Sequence, residues 1–399
     1  MRDILFLAHR LPWPPDRGDK IRSHCILRHL SKRARVHLVT FAEHEEEIAS
    51  ADELRPWLAS LHVEWRSNIP GPRVLGAFLA KSPFSVAMFA SSSMRVKVAE
   101  LLADNDIGTI FAFSGQMAQY VPSDASARFL MDFVDVDSEK FAAYAQSGPM
   151  LLRWLYRREA RLLGPFEQAV ARRADKSIFV SEAEAELFRK LSNMGEDKVI
   201  AIENGVDLEN LHPNGDFKPL SRAERGPGAL IVFTGQMDYR PNVDAVHAFT
   251  RNILPVLRHI RPDVHFAIVG RDPSVDVMAL AQLPGVTVTG PVPDIRPWLA
   301  AADVVAVPLR IARGIQNKVL EAMAMGRPVV ASPAAAEGID AEVGRDFVLA
   351  DSDAMVTGIL SLLNDPMRAA KIGQNARKRM EVRYRWEERL APLDALLAE

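Results

Sequence analysis

The chain has 399 residues, 48% of them hydrophobic and 25% charged, with a formal net charge of -2. That length exceeds what one hydrophobic core usually supports and predicts two α/β-sized domains. The near-neutral balance argues against a dedicated nucleic-acid binder, and the lone Cys25 excludes an intrachain disulfide and fits a reducing compartment.

The charge is unevenly spread: Met1 to Arg35 holds nine Lys or Arg against three Asp, whereas Glu43 to Glu53 holds six acids and no base. The opening apolar run Ile4 to Ala8 is too short for a signal-peptide core, and no apolar run approaches a membrane span. A cytoplasmic protein is expected, with any contact at the inner membrane face peripheral.

Short apolar runs between longer amphipathic segments predict parallel strands covered by helices. The first series comprises Ile4 to Ala8, Val36 to Ala42, Ile107 to Phe113, Phe129 to Val136, Ser177 to Val180 and Val199 to Ile202. Between the first strand and a helix lies Pro12-Trp13-Pro14-Pro15-Asp16-Arg17-Gly18-Asp19-Lys20, a loop at the carboxyl end of a strand, where open α/β sheets bind ligands. No G-x-G-x-x-G occurs, so a nicotinamide enzyme is not indicated. His9, closing the first strand, is expected to be structural.

The run Asp132 to Glu139 closes another predicted strand, where alternation would place Asp135, Asp137 and Glu139 on one face for metal binding, acceptor contact, base chemistry or helix capping. Ser114-Gly115-Gln116 follows the strand ending at Phe113. From Trp154 to Arg173, arginines interleave with Leu and Phe: a basic amphipathic helix, either packed with a solvated face or laid on anionic lipid. Leu211 to Gly228, with three Pro and three Gly, is the expected linker, giving domains of 1–215 and 216–383 with a last helix, 384–399, packing back on the first.

The second series restarts at Leu230 to Phe233 and continues through Val264 to Val269, Val286 to Thr289, Val304 to Pro308 and Pro328 to Ala331. Its sharpest feature is Arg313 to Ser332 (RGIQNKVLEAMAMGRPVVAS). Gly314, lacking a Cβ, lets a diphosphate approach the backbone, and the N–H groups of Gln316, Asn317 and Lys318 at a helix start would face it. Lys318 adds a full charge, and Glu321 on the same helical face would accept from ribose hydroxyls.

KVLEAMAMGRPVVAS is similar to the donor-site signature of family 4 retaining glycosyltransferases of the GT-B fold, with Glu203 to Asp207 resembling that family's NGVD element. Within it, PPDRGDKIRS, DFVDVDSEK and FTGQMDYRPN resemble the exosortase/PEP-CTERM-associated exopolysaccharide sugar transferases. The resemblance implies two Rossmann-like domains facing across a cleft, and metal-independent transfer, with retention, from a nucleotide-diphosphate sugar to a saccharide or lipid-linked acceptor. It implies no cofactor. Its donor contacts fall at Gly18, Gly235, Gln236, Arg240, Arg271, Val292, Gly314, Gln316, Asn317, Lys318 and Glu321. Acceptor contacts fall at Ser114, Asp135 and Asp137, and the catalytic set is Lys318, Glu321 and Arg313.

Three positions depart from the family pattern. Arg313 replaces the first Glu of its E-x7-E motif, and the family's Arg and Lys after the first strand of the second domain fall at Gln236 and Asn242. Lys318 ranks first among the remaining cations because a helix N-terminus adds to it. Two rivals stay open: a non-catalytic sugar-nucleotide-binding partner of another transferase, which the missing Glu motivates, and a sugar-nucleotide epimerase, which can share the GT-B fold.

Overall fold

The computed structural model describes residues 2–15, 17–66, 82–147, 149–312 and 314–398. The chain divides into two compact units, Met1–Glu203 with Leu390–Glu399, and Asn204–Arg389.

In the first unit the elements are β1 (Asp3–Ala8), α1 (Gly18–Ser31), β2 (Val36–Ala42), α2 (Glu45–Ser50), β3 (Ser60–Trp65), α3 (Ser92–Asp104), β4 (Ile107–Phe113), β5 (Arg128–Val134), α4 (Asp137–Ser147), α5 (Arg153–Arg173), β6 (Lys176–Phe179), α6 (Glu182–Ser192) and β7 (Val199–Ala201). The strands form one parallel sheet in the order β3-β2-β1-β4-β5-β6-β7. Every residue of β2 is buried, as is all of β1 beyond Asp3, which is why these runs read as continuous apolar stretches. Strand β3 was not expected: its Ser-Leu-His-Val-Glu-Trp sequence is a half-buried edge and carries no apolar run. From Leu390 onward the final helix (Trp386–Ala398) belongs to this unit, where Asp394 accepts from His29 at 2.8 Å and from Arg33 at 2.6 Å.

The expected common strand face for Asp135, Asp137 and Glu139 does not form, since Asp137 and Glu139 lie in the first turn of α4. The strand ends at Val134, whose φ of 72° turns the chain, while the Asp132 carboxylate accepts the Val134 N–H at 3.0 Å. Asp132 is fully buried and pairs with the equally buried Arg22 of α1 at 2.9 and 3.0 Å. Asp137 begins α4 and pairs with Lys140. The local turn has won over strand alternation.

The second unit contains β8 (Leu230–Thr234), α7 (Arg240–Ala248), β9 (His265–Val269), β10 (Val286–Val288), α8 (Arg296–Ala301), β11 (Val304–Val307), α9 (Asn317–Ala324), β12 (Val329–Ala331), β13 (Val348–Leu349), α10 (Met355–Leu363) and α11 (Pro366–Arg383). Its parallel sheet runs β10-β9-β8-β11-β12-β13. Strands β8, β11 and β12 are wholly buried, and α9 inserts Val319, Leu320, Ala322, Met323 and Ala324 into the same core. Residues 211–228, expected as the linker, lie inside this unit, because the division falls between Glu203 and Asn204. Leu211, Phe217 and Leu220 of that stretch pack on the unit's core. Among the described residues no helix is long and apolar enough to cross a membrane.

The Arg22–Asp132 pair gives the first unit a buried contact whose loss is measurable. Arg22→Met leaves an uncompensated buried carboxylate and is expected to cost about 3–5 kcal/mol, whereas Arg22→Met/Asp132→Leu recovers most of it. Urea unfolding of both variants checks the difference.

Candidate functional site in the second unit

In the second sheet the chain leaves β8 toward β9 on one side and, later, β11 lies on the other, so the topological switch point falls beyond the carboxyl ends of β8 and β11. Ligands of open parallel sheets bind at such points. Here the sequence supplies Thr234-Gly235-Gln236 after β8 and residues 308–316 after β11.

Backbone approach is close at this edge. A Cβ built on Gly270 would lie 1.7 Å from the Gly235 carbonyl oxygen, so only glycine lets the chain leaving β9 cross the chain leaving β8. A Cβ on Gly235 would in turn meet Asn242 Nδ2 at 2.8 Å and Lys318 Nζ at 3.2 Å. The Thr234 hydroxyl beside it is buried and has no hydrogen-bond partner among the described residues.

Lys318 stands in the first turn of α9 and reaches back to this edge. Its Nζ donates to Asn242 Oδ1 at 2.5 Å and lies 4.8 Å from the centre of the Phe233 ring, while Asn242 Nδ2 donates to the Gln236 carbonyl at 2.8 Å. The neutral Asn242, read from sequence as a lost cation, therefore holds a cation delivered by another helix. Burial pushes the Lys318 ammonium down to about 8, opposed by the charge of Glu321. Burial likewise raises the Glu321 carboxyl, opposed by Lys318. An anion arriving here would restore to Lys318 what desolvation has removed.

Gln316 sits at the N-cap of α9 without a side-chain capping bond; its Nε2 donates to the Gly314 carbonyl at 3.1 Å, and Gly314 has a φ of 64°. Asn317 Oδ1 accepts from Asn204 Nδ2 at 3.3 Å, which joins the Asn204-Gly205 element to the start of α9. Gly235, Gln236, Asn317, Lys318 and Glu321 are thus linked through this edge and α9. Arg271 is tied in by its backbone, its carbonyl accepting the Met237 N–H at 2.8 Å, and its side chain lies 4.0 Å from Asp272. Arg240 begins α7 and lies 3.6 Å from Asp244 in an exposed ion pair. Val292 is half-buried against the core. Arg313 lies outside the described residues.

The remaining candidates belong to the first unit. Gly18 begins α1, and Asp19 in the first turn of that helix pairs with Arg10 and Arg17, each at 2.8 Å, and with His9 at 3.2 Å. Burial holds the His9 imidazole below its ordinary value. Ser114 follows β4 with a φ of 73° and donates to Gln116 Oε1. Asp135 is pushed up to about 6 by burial, with Lys140 opposing and Glu184 and Asp137 adding to the rise. Among the described residues no group of three or more His, Cys, Asp or Glu side chains is gathered to hold a metal.

Against known proteins, residues 228–365 match the family model described as Glycosyl transferases group 1. The chain is 32% identical over 212 residues to a GDP-mannose-dependent alpha-(1-6)-phosphatidylinositol monomannoside mannosyltransferase of Mycolicibacterium smegmatis, covering 49% of this chain and 54% of that protein. It is 26% identical over 206 residues to the lipopolysaccharide core biosynthesis mannosyltransferase LpcC of Rhizobium leguminosarum, covering 49% of this chain and 58% of that one. The chain thus spans about half the length of the curated relatives it matches.

Over the whole chain, the structure is similar to Anabaena HepE solved with UDP, at 18% identity, with 99% of each chain covered and a TM-score of 0.69. A sucrose-phosphate synthase from Thermosynechococcus elongatus matches at 19% identity over 99% of this chain and 98% of that one, with a TM-score of 0.69. The fold is therefore GT-B, built of two Rossmann-like domains, and the second unit is related to the group 1 glycosyl transferases.

The two glycines of the edge are predicted to differ in cost. Gly270→Ala drives a Cβ into backbone and should destabilise the protein by about 3 kcal/mol or more. Gly235→Ala meets only side-chain ends and should cost less while displacing Lys318 from Asn242. Denaturant melts of both variants test the ranking.

Proposed function

We propose that the chain is a glycosyltransferase that moves a sugar from a nucleotide-diphosphate donor to a saccharide acceptor, with retention at the anomeric carbon. The observation that carries this reading is Lys318, drawn into the switch point of the second sheet by Asn242 and partly stripped of water. The diphosphate would rest beside Gly235 and Gly314 at the N-terminus of α9, with Lys318 as its counter-cation and Glu321 accepting from the ribose. In the reaction the bond between the anomeric carbon and the β-phosphate oxygen breaks, and one to the acceptor oxygen forms. The acceptor's proton passes to the departing phosphate. Charge builds on the diphosphate as it leaves, so a fixed cation and helix dipole aimed there lower the barrier without a metal.

Two kinds of relative support the reading: the structural neighbour solved with UDP and with UDP-glucose, and the partial sequence relatives named as mannosyltransferases. The acceptor is taken to be lipid-linked, in exopolysaccharide or other cell-surface glycan synthesis, since those relatives are named for phosphatidylinositol monomannoside and lipopolysaccharide core. Ser114, Asp135 and Asp137 are the first-unit residues assigned to it, while Gly18 is assigned to the donor.

A panel of UDP-glucose, GDP-mannose and related donors, read by calorimetry and by sugar release, tests the proposal. At least one donor should bind and turn over. Lys318→Met should weaken it about tenfold to a hundredfold through loss of a charge-assisted bond, and Glu321→Ala should weaken it less. Equal affinity in the wild type and Lys318→Met would refute the assignment.

A further inference from the structure

Helices α4 and α5 of the first unit lie against each other, locked by a ring cluster in which Phe141 is 6.2 Å from both Tyr144 and Tyr156, and the two tyrosines are 5.8 Å apart. Further along, α5 buries Leu163, Val170 and Ala171 in the unit. Its approach is different. The turn Met150–Leu152 and the first residues of α5 leave Met150 81%, Leu151 86%, Leu152 41% and Trp154 57% exposed. Four large apolar side chains together on a rigid support form a patch that water alone does not favour.

Behind it, the exposed charges of the first turns of α5 carry one sign. Arg157 and Arg161 are exposed, one turn apart and following Trp154 along α5. The nearest acid in the helix, Glu159, is buried and consumed by the Phe84 and Ser85 N–H groups, both at 2.8 Å, and the Ser85 hydroxyl at 2.7 Å. Arg158 is likewise occupied, over the Phe84 ring at 4.2 Å and on the Ser82 carbonyl at 3.2 Å. What faces out is therefore apolar at the tip and cationic behind it.

We propose that this turn is a docking surface for an anionic lipid bilayer, with Met150, Leu151, Leu152 and Trp154 entering the headgroup boundary and Arg157 and Arg161 meeting lipid phosphates. A Trp at the water–hydrocarbon boundary and arginines within reach of phosphate suit that setting. A second copy suits it poorly: four side chains fall far short of the roughly 20–30 residues a side of a stable interface, and two-fold pairing would bring arginines against arginines. The inference goes beyond the transfer reading and is tested without donor, so each can fail alone.

The full chain, spun down with vesicles of phosphatidylcholine alone or mixed with phosphatidylglycerol, gives the test. The chain should pellet with the anionic vesicles and little with the neutral ones, and added salt should release it. Leu151→Glu/Trp154→Glu and Arg157→Glu/Arg161→Glu should each weaken binding by about tenfold or more, at unchanged melting temperature. Three outcomes overturn the proposal: the wild type stays in solution with anionic vesicles, the variants bind as it does, or light scattering shows a dimer that Leu151→Glu/Trp154→Glu dissociates.

Discussion

The candidate site of the second unit is built around one hydrogen bond, from the Lys318 ammonium to Asn242 Oδ1. It ties the first turn of α9 to α7, and through the Asn242 amide to the Gln236 carbonyl at the end of β8. The bond exists only because two glycines clear the ground. Gly270 lets the chain leaving β9 touch the Gly235 carbonyl, and Gly235 leaves room for the Asn242 and Lys318 side-chain ends. A cation is thereby fixed where the sheet's topology opens, at the cost of its hydration. That cost is what an anionic ligand would recover.

The first unit is also organised by charges withdrawn from water, but there they are matched internally. Asp132 and Arg22 satisfy each other near the end of β5, and Lys20 and Glu47 pair at 2.5 Å. Such pairs add little net stability, yet removing one member is costly, so they pin α1 to β5 and to α2. The contrast separates the units physically: paired charges around the first sheet, a poised single cation at the second.

Much of the fold is legible in the sequence because buried parallel strands must be continuous apolar runs, and those of β1, β2, β4, β8 and β11 are unmistakable. Strands β3 and β13 are not, since their residues are half-buried or exposed edges with no such run. The helix start between Gly314 and Glu321 is legible because a glycine, a run of helix formers and a lysine lie within one short stretch. The partner of Lys318 is not, because Asn242 lies 76 residues away and only the folded sheet joins them. Nor could alternation foresee the positive φ of Val134, which ends β5 and turns the chain before Asp135 and Asp137.

The central claim is that Lys318 neutralises a bound diphosphate, and its desolvation makes the claim measurable as a proton. With the free ammonium near 8, a ligand that stabilises the charged form raises that value, so binding at pH 8 takes up about half a proton. Well below that pH the ammonium is already charged in both states, and the uptake at Lys318 vanishes. Calorimetry of UDP-glucose or GDP-mannose binding in two buffers of different ionisation enthalpy reads this directly. The account predicts uptake at pH 8 that fades on acidification and is absent in Lys318→Met; tight donor binding at pH 8 with no proton exchanged would contradict it.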